Sequence, residues 1–495
     1  MGAIMTIVHG VLPEAPIRSL GDYIKSGGGK GLATAKAADP DALIAELDAS
    51  GLRGRGGAGF PTGRKWRTVR ANRSSFERAS VVVNGAEGEP GTFKDRSILR
   101  ANPYQVLEGA LIAAYAISAD QVIVALKRSF TTELARLRSA ITEIRDAGWL
   151  DDVALTIFEG PDEYLYGEET ALLETIDGRW PFPRIAPPYR RGVREVVETQ
   201  ADIDSGSGLA AHVEMAGPST MLVAAPTLVD NVETLANVTR VIAEGGAWFR
   251  MQGTAESPGT IVCTVTGRTL RSGVGEVVMG TSLREVLDTI GGGPRLGRRL
   301  TAVLPGVSNA FISEEFFDVA ISYEGFAAIG SGLGSAGFVV YDDSDDLVAI
   351  AAGASRFLAV ESCGQCAPCK QDGLTLADLL AKLCRSEANS TDFATIQRRI
   401  ETVAVGARCS LATQQEVIVR SLLERCRAEV DAHLGGDAPS VEPALVAELI
   451  DISGGGAQLD ERHQHKQPDW TYAERWSGKS PAELHAEHHA NEVVE

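Results

Sequence analysis

Residues 80–96 read SVVVNGAEGEPGTFKDR, an apolar run that stops at Asn84 and opens into a loop of Gly, Glu and Pro. Four residues of this kind bounded by turn formers predict a short buried strand. A glycine-bearing loop directly after it falls at the strand's carboxyl end, where open α/β sheets bind their ligands. Working outward, the pattern predicts a helix in YQVLEGALIAAYAI (104–117), a strand in QVIVAL (121–126) and a helix in TTELARLRSAITEIRDAG (131–148). Upstream, Asp39 precedes PDALIAELDA (40–49), where Leu43, Ile44 and Leu47 recur at helical spacing behind an Asp cap. Strands alternating with helices indicate an α/β domain with a mainly parallel sheet.

The 495-residue length predicts roughly three domains. The 47 basic and 66 acidic side chains leave a formal charge of −19, which argues against binding nucleic acid or a membrane surface, both of them anionic. The best uncharged apolar run, 110–117, is far too short to span a bilayer, so no direct membrane insertion is expected. The N-terminus has no basic region ahead of an apolar stretch, and no secretory signal is read there. Seven cysteines, three of them within seven residues, suit a reducing interior and a metal centre, and a cytoplasmic location is expected.

Five segments follow from composition and periodicity: an N-terminal extension with helices (1–50), the α/β domain (51–250), a β-grasp module (251–345), a helical domain (346–435) and a polar tail (436–495). The β-grasp expectation rests on the strand pairs TIVCTVTGR, VGEVVMG and TAVLPG around the short helix LREVLDTI. A polar stretch near 191–220 reads as an insertion in the α/β domain. The tail holds five of the eight histidines, His463, His465, His485, His488 and His489, together with Trp470, Tyr472 and Trp476. It reads as a solvated tail or a docking arm, its aromatics exposed to anchor on another subunit.

The strongest local signal is ESCGQCAPCKQDG (361–373), which places Cys363, Cys366 and Cys369 at three-residue intervals, with Cys409 forty residues on. Three close thiolates wrap one face of a compact cluster and a distant fourth closes it, so the spacing favours a [4Fe–4S] cubane. Zinc, which more often takes two separated Cys pairs, is the lesser alternative. Cys384 is a second candidate for the fourth ligand, although its setting, LADLLAKLC, favours packing.

Two stretches match GxGxxG: GRGGAG (54–59) and GLGSAG (332–337). The first follows a helix and the second leads into the strand GFVVY, so neither is a Rossmann turn. The first loop nevertheless exposes successive backbone N–H groups, and Arg55 and Lys65 add charge, enough to cradle a phosphate or a flavin chain. A tight loop packed under the sheet is the even alternative.

GLRGRGGAGFPTGRKW, NGAEGEPGTFKDR, YGEETALLE (166–174), DNVETLANV (230–238) and the cysteine set together resemble, in order from about Leu20 to Leu434, the flavoprotein subunit of respiratory complex I. The same family supplies diaphorase subunits to NAD-linked hydrogenases and formate dehydrogenases. The resemblance implies a Rossmann-like FMN/nucleotide domain, a β-grasp module and a helical bundle holding a [4Fe–4S] cluster on Cys363, Cys366, Cys369 and Cys409. It implies FMN contacts at Gly54, Arg55, Gly56, Lys65, Asn84, Glu87, Gly167, Glu168, Asn231 and Thr234. Gly57, Ala58, Phe60, Glu89, Tyr164 and Glu169 would face NAD(H), with Phe60 stacked on adenine and Glu89 and Glu169 as the candidate catalytic carboxylates. No general acid or base is needed for hydride transfer to flavin.

Ala86 stands where the family usually has Asp, Thr68 where it has an aromatic, Tyr166 where it has Cys and Asp230 where it has Asn. These departures, most of them on the nucleotide side, motivate a second reading, an electron relay or scaffold that keeps FMN and the cluster without binding nicotinamide. The implied partners are a thioredoxin-like [2Fe–2S] subunit and a larger iron–sulfur or catalytic subunit of the quinone reductase, formate dehydrogenase or hydrogenase type. Through such partners the protein would sit peripherally at a membrane.

Overall fold

Val81, Val82 and Val83 have no exposed surface because their strand, Ala79–Asn84, lies inside a parallel sheet covered on both faces. The computed structural model describes residues 7–73, 78–185 and 226–492, together with the backbone of 194–196 and 212–214. The four strands of this first sheet run in the order Ala154–Gly160, Ala119–Lys127, Ala79–Asn84 and Thr227–Asn231, all parallel. Register pairs Asn84 with Asn231, so two asparagines stand side by side at the carboxyl edge. The helix Pro103–Ile117 is buried almost all round, which is why its sequence has no polar stripe. Its one acid, Glu108, is paired throughout: it accepts hydrogen bonds from Tyr23 Oη at 2.7 Å and from Gly29 N and Leu32 N at 2.8 Å each. Those bonds fasten the N-terminal helices Leu20–Lys25 and Lys30–Ala37 to the domain.

A second, five-stranded sheet follows, ordered Ile312–Ser313, Leu300–Pro305, Gly337–Asp342, Thr260–Gly267 and Gly273–Val278. Only its central pair, Gly337–Asp342 with Thr260–Gly267, is parallel. With the helix Leu283–Thr289, which Ser282 and Glu285 start with a capping box, this is the β-grasp layout. The helices Leu347–Glu361, Ala367–Cys384, Ser390–Thr402, Leu411–Arg425 and Arg427–Gly435 pack as a bundle around an apolar core.

The expected insertion falls mainly outside the described residues; within it, Arg194–Val196 pairs antiparallel with His212–Glu214. The tail differs from expectation. Residues 449–459 form a strand pair, Leu449–Ser453 with Gly456–Leu459, and Arg96 Nη1 donates to Leu449 O at 2.6 Å. Further on, Lys466 and His463 are buried against Glu361, and Trp470, only 8 % exposed, donates from Nε1 to Val360 O at 3.1 Å. Part of the segment's polarity is therefore internal, with His463 and Lys466 paired to the body of the protein. Tyr472 and Trp476 do remain exposed.

The β-grasp module also shapes the first glycine loop. Tyr323 Oη donates to Gly54 O at 2.7 Å, and Arg53 stacks on the Tyr323 ring at 4.1 Å. Gly59 has φ +62°, and a Cβ there would lie 2.5 Å from Tyr323 Cε1. A substitution must therefore bear both a left-handed backbone and a displaced ring. Gly59→Ala is expected to destabilise the protein by about 2 kcal/mol or more, read as a lowered Tm. Tyr323→Phe, which loses only the hydrogen bond, should cost about 1 kcal/mol.

Candidate functional site

At the carboxyl edge of the parallel sheet lies a cleft of about 830 Å3, open to solvent. That sits at the upper end of the roughly 300–1,000 Å3 of a small-molecule site. Fifteen of the sixteen residues expected to touch flavin or nucleotide line it: Gly54, Gly56, Gly57, Ala58, Phe60, Lys65, Asn84, Glu87, Glu89, Tyr164, Gly167, Glu168, Glu169, Asn231 and Thr234. Arg55 is the exception. Its guanidinium is 1 % exposed and donates to Pro258 O at 3.1 Å and Thr260 O at 3.0 Å, so it clamps the glycine loop to the β-grasp module. Its N–H donates to Thr234 Oγ1 at 2.8 Å. The expected loop cation at this position is therefore corrected: carbonyls more than 200 residues away hold it out of the cleft.

The remaining polar residues divide by what they already bind. Glu87 accepts from Asp95 N at 2.9 Å and Arg96 Nε at 3.0 Å; Glu168 accepts from Thr170 N and Ala171 N; Asn231 Oδ1 accepts from Glu233 N. Each of these side chains binds the first turn of a helix, Lys94–Ala101, Glu169–Ile176 and Val232–Glu244 respectively. Their N-termini all face the cleft, as does that of Leu411–Arg425. Four positive helix ends give an acidic protein a local field suited to phosphate.

Other side chains remain available to a ligand. Phe60 is 46 % exposed at the cleft mouth, as an aromatic that stacks on a base must be. Glu169 Oε2 pairs with Lys65 Nζ at 3.0 Å, whereas its buried Oε1 has no partner among the described residues. Glu89 accepts from Val307 N, from Ser308 Oγ at 2.7 Å and from Tyr164 Oη at 2.5 Å. Burial raises the carboxyls of Glu89 and Glu168 above their ordinary values and lifts Asp95 and Asp230 to about 6 each. Burial pulls Lys65 down, but the carboxylates of Glu169 and Asp230 outweigh it and leave it raised.

All four departures from the family pattern now have positions, Asp230 in the cleft lining with Oδ2 accepting from Trp66 Nε1 at 2.6 Å. Ala86 and Thr68 line the cleft. Tyr166 is buried beneath the sheet, where its ring packs near Phe158 and Oη lies 3.4 Å from Leu126 O. It lies behind the cleft wall and supports it.

Cys363, Cys366, Cys369 and Cys409 line a second, much smaller space. Among the described residues no three His, Cys, Asp or Glu side chains close on a single-ion position. Four thiols that share one lining without closing on a single ion suit a multi-iron cluster better than one tetrahedral ion. Burial pushes the Cys363 thiol up to about 12 and also raises Cys369 and Cys409, so a metal must take the charge before these sulfurs ionise. Cys384 is fully buried in the bundle core and does not line this space, whereas Cys409 does.

Sequence reasoning missed several cleft residues. Gly334 and Ser335, from the second GxGxxG stretch, face Gly57 across the cleft, and Ser308, Asn309 and Gln414 complete the wall. The second glycine stretch was the available signal, and as a loop leading into a strand it fitted no known turn.

Residues 47–240 match the model of the Nuo51 FMN-binding domain, and residues 349–433 that of the NADH-ubiquinone oxidoreductase-F iron-sulfur binding region. The chain is 35 % identical over 404 residues to the F 2 subunit of the NADH-quinone oxidoreductase of Rhizobium meliloti (strain 1021), covering 80 % of this chain and 89 % of that protein. It is 33 % identical over 425 residues to the HndC subunit of the NADP-reducing hydrogenase of Solidesulfovibrio fructosivorans, covering 84 % and 81 %. Among solved structures, an NAD+-reducing [NiFe]-hydrogenase in the H2-reduced state superposes with a TM-score of 0.70 at 30 % identity, over 85 % of this chain and 68 % of that one. The chain belongs to the family of NADH-quinone oxidoreductase F subunits and carries an FMN-binding domain and an iron–sulfur binding region.

Proposed function

We propose that the large cleft holds FMN on the glycine-loop side and NADH at its mouth, and that electrons leave it singly for a [4Fe–4S] cluster on Cys363, Cys366, Cys369 and Cys409. The observation that carries this reading is a shared wall: Leu165, Cys409 and Leu411 line both the cleft and the space between the cysteines. FMN, when bound, accepts two electrons as hydride and releases them one at a time, which a nicotinamide donor and an iron–sulfur acceptor require between them.

The chain's own residues bind, orient and exclude water. Gly54, Gly56, Gly57 and Ala58 offer backbone at close approach, and Lys65 and the converging helix N-termini supply the positive field for phosphate. Asn84, held by its Nδ2 bond to Gly167 O at 2.9 Å, and Thr234 complete the flavin side. Phe60, Glu89, Tyr164 and Glu169 orient the nucleotide; Glu89 and Glu169 act by contact with it and carry no proton in the transfer. The thioredoxin-like [2Fe–2S] partner and a larger iron–sulfur or catalytic subunit remain part of the proposal. Tyr472 and Trp476 are exposed aromatics of the C-terminal segment open to such a partner. No helix among the described residues is long and apolar enough to cross a membrane; peripheral attachment through partners in a reducing cytoplasm completes the reading.

Two measurements test it. Anaerobic titration of the FMN- and cluster-loaded protein with NADH should bleach the flavin's visible absorbance; no bleaching by NADH or NADPH would sink the nicotinamide reading and leave the relay alternative. Cys409→Ser should lose the cluster, measured as iron and acid-labile sulfide per chain. Cys384→Ser should keep it, at a stability cost of about 1–3 kcal/mol for a buried hydroxyl.

A further inference from the structure

The model of the iron–sulfur binding region ends at residue 433, yet the chain beyond it packs on Glu361 and Phe357, behind Tyr164 of the cleft wall. Lys466 Nζ lies 2.6 Å, and His463 Nε2 3.0 Å, from the same oxygen of Glu361, and all three side chains are more than nine-tenths buried. The other Glu361 oxygen accepts from Tyr164 N at 3.3 Å. A parallel route runs through the rings. His463 stacks on Phe357 with centroids 4.7 Å apart, and Phe357 meets Tyr164 edge-on at 5.2 Å. The segment is itself held down, since Arg356 donates to the carbonyls of His463, Gln464 and Lys466 and Lys370 donates to Pro468 O.

Both routes end on Tyr164, whose hydroxyl binds Glu89 in the cleft and lies 3.3 Å from Gln414 Oε1. Tyr164 also opens the turn Tyr164–Gly167 that leads into Glu168 and Glu169. We infer that residues 463–470 form a positioning strap for the nucleotide site, with His463 fixing Tyr164, and through it Glu89, by way of Glu361 and Phe357. His463 touches no ligand and acts through its neighbours. The strap lowers the cost of ordering the nucleotide-facing wall when the nucleotide binds, so its loss falls on affinity more than on turnover.

The inference rests on the nucleotide reading of the cleft. The test uses the full chain loaded with FMN and cluster, assayed for NADH-dependent ferricyanide reduction. His463→Ala should raise KM for NADH about 5- to 10-fold, the effect of one or two lost contacts, with kcat within about twofold and with FMN and iron contents as in the parent. His463→Phe, which keeps the ring stack, should recover part of the loss. Combined with Tyr164→Phe, His463→Ala should add less than it does alone, because both act on one hydroxyl. His463→Leu preserves buried volume and carries the same expectation where the alanine variant fails to load its cofactors. A parent-like KM in a loaded His463→Ala or His463→Leu variant, or fully multiplicative effects in the double variant, overturns the strap. A parent protein that NADH does not reduce overturns the cleft reading instead.

Discussion

Everything in this molecule leans on one buried set of charges beneath the cleft. Lys94, with 1 % of its side chain exposed, lies 2.8 Å from Asp95 and 2.9 Å from Glu233. Glu87 binds the start of the Lys94–Ala101 helix and pairs with Arg96 at 3.0 Å. From this set three connections leave: Glu233 Oε1 accepts from Val262 N in the β-grasp sheet, Arg96 donates to Leu449 O in the C-terminal segment, and Asn231 links Lys94 to the parallel sheet's edge. Such a set adds little net stability over a well-packed apolar core, but removing one member leaves an uncompensated charge and costs about 3–5 kcal/mol. Its value here is register. It makes the arrangement of three modules around one cleft depend on a handful of donors and acceptors that fit only one way.

That dependence explains which parts of the architecture are legible in the sequence. Val81–Val83, the helix at 104–117 and the leucines of the bundle declare themselves through periodicity, because burying apolar surface imposes it locally. The cysteine spacing is equally local. Arg55 escapes such a reading because a guanidinium on a glycine loop goes to whatever acceptors the fold brings near, and Pro258 and Thr260 come from another module. The C-terminal segment escapes it for the same reason in stronger form. Lys466, His463 and Asp451 are polar by composition and interior or paired by partnership, and composition records only the first.

The cleft shows a related economy. Motif acids such as Glu87 and Glu168 bind backbone N–H groups at helix starts, the ordinary reading of an acid in that place, and still line the site. Structural and functional roles are not alternatives at these positions. By holding helix N-termini toward one space, the caps build the field that an overall charge of −19 would otherwise oppose.

The wall of Leu165, Cys409 and Leu411 separates two compartments by the thickness of a side chain. Such a partition discriminates by mass. Nothing with a nucleus heavier than hydrogen's crosses a leucine without moving it, whereas an electron's wavefunction extends through one and decays over ångströms. On the proposed reading, a nucleotide can therefore come and go on one side without displacing the thiols on the other. On that reading, only charge, one quantum at a time, passes from the first compartment to the second.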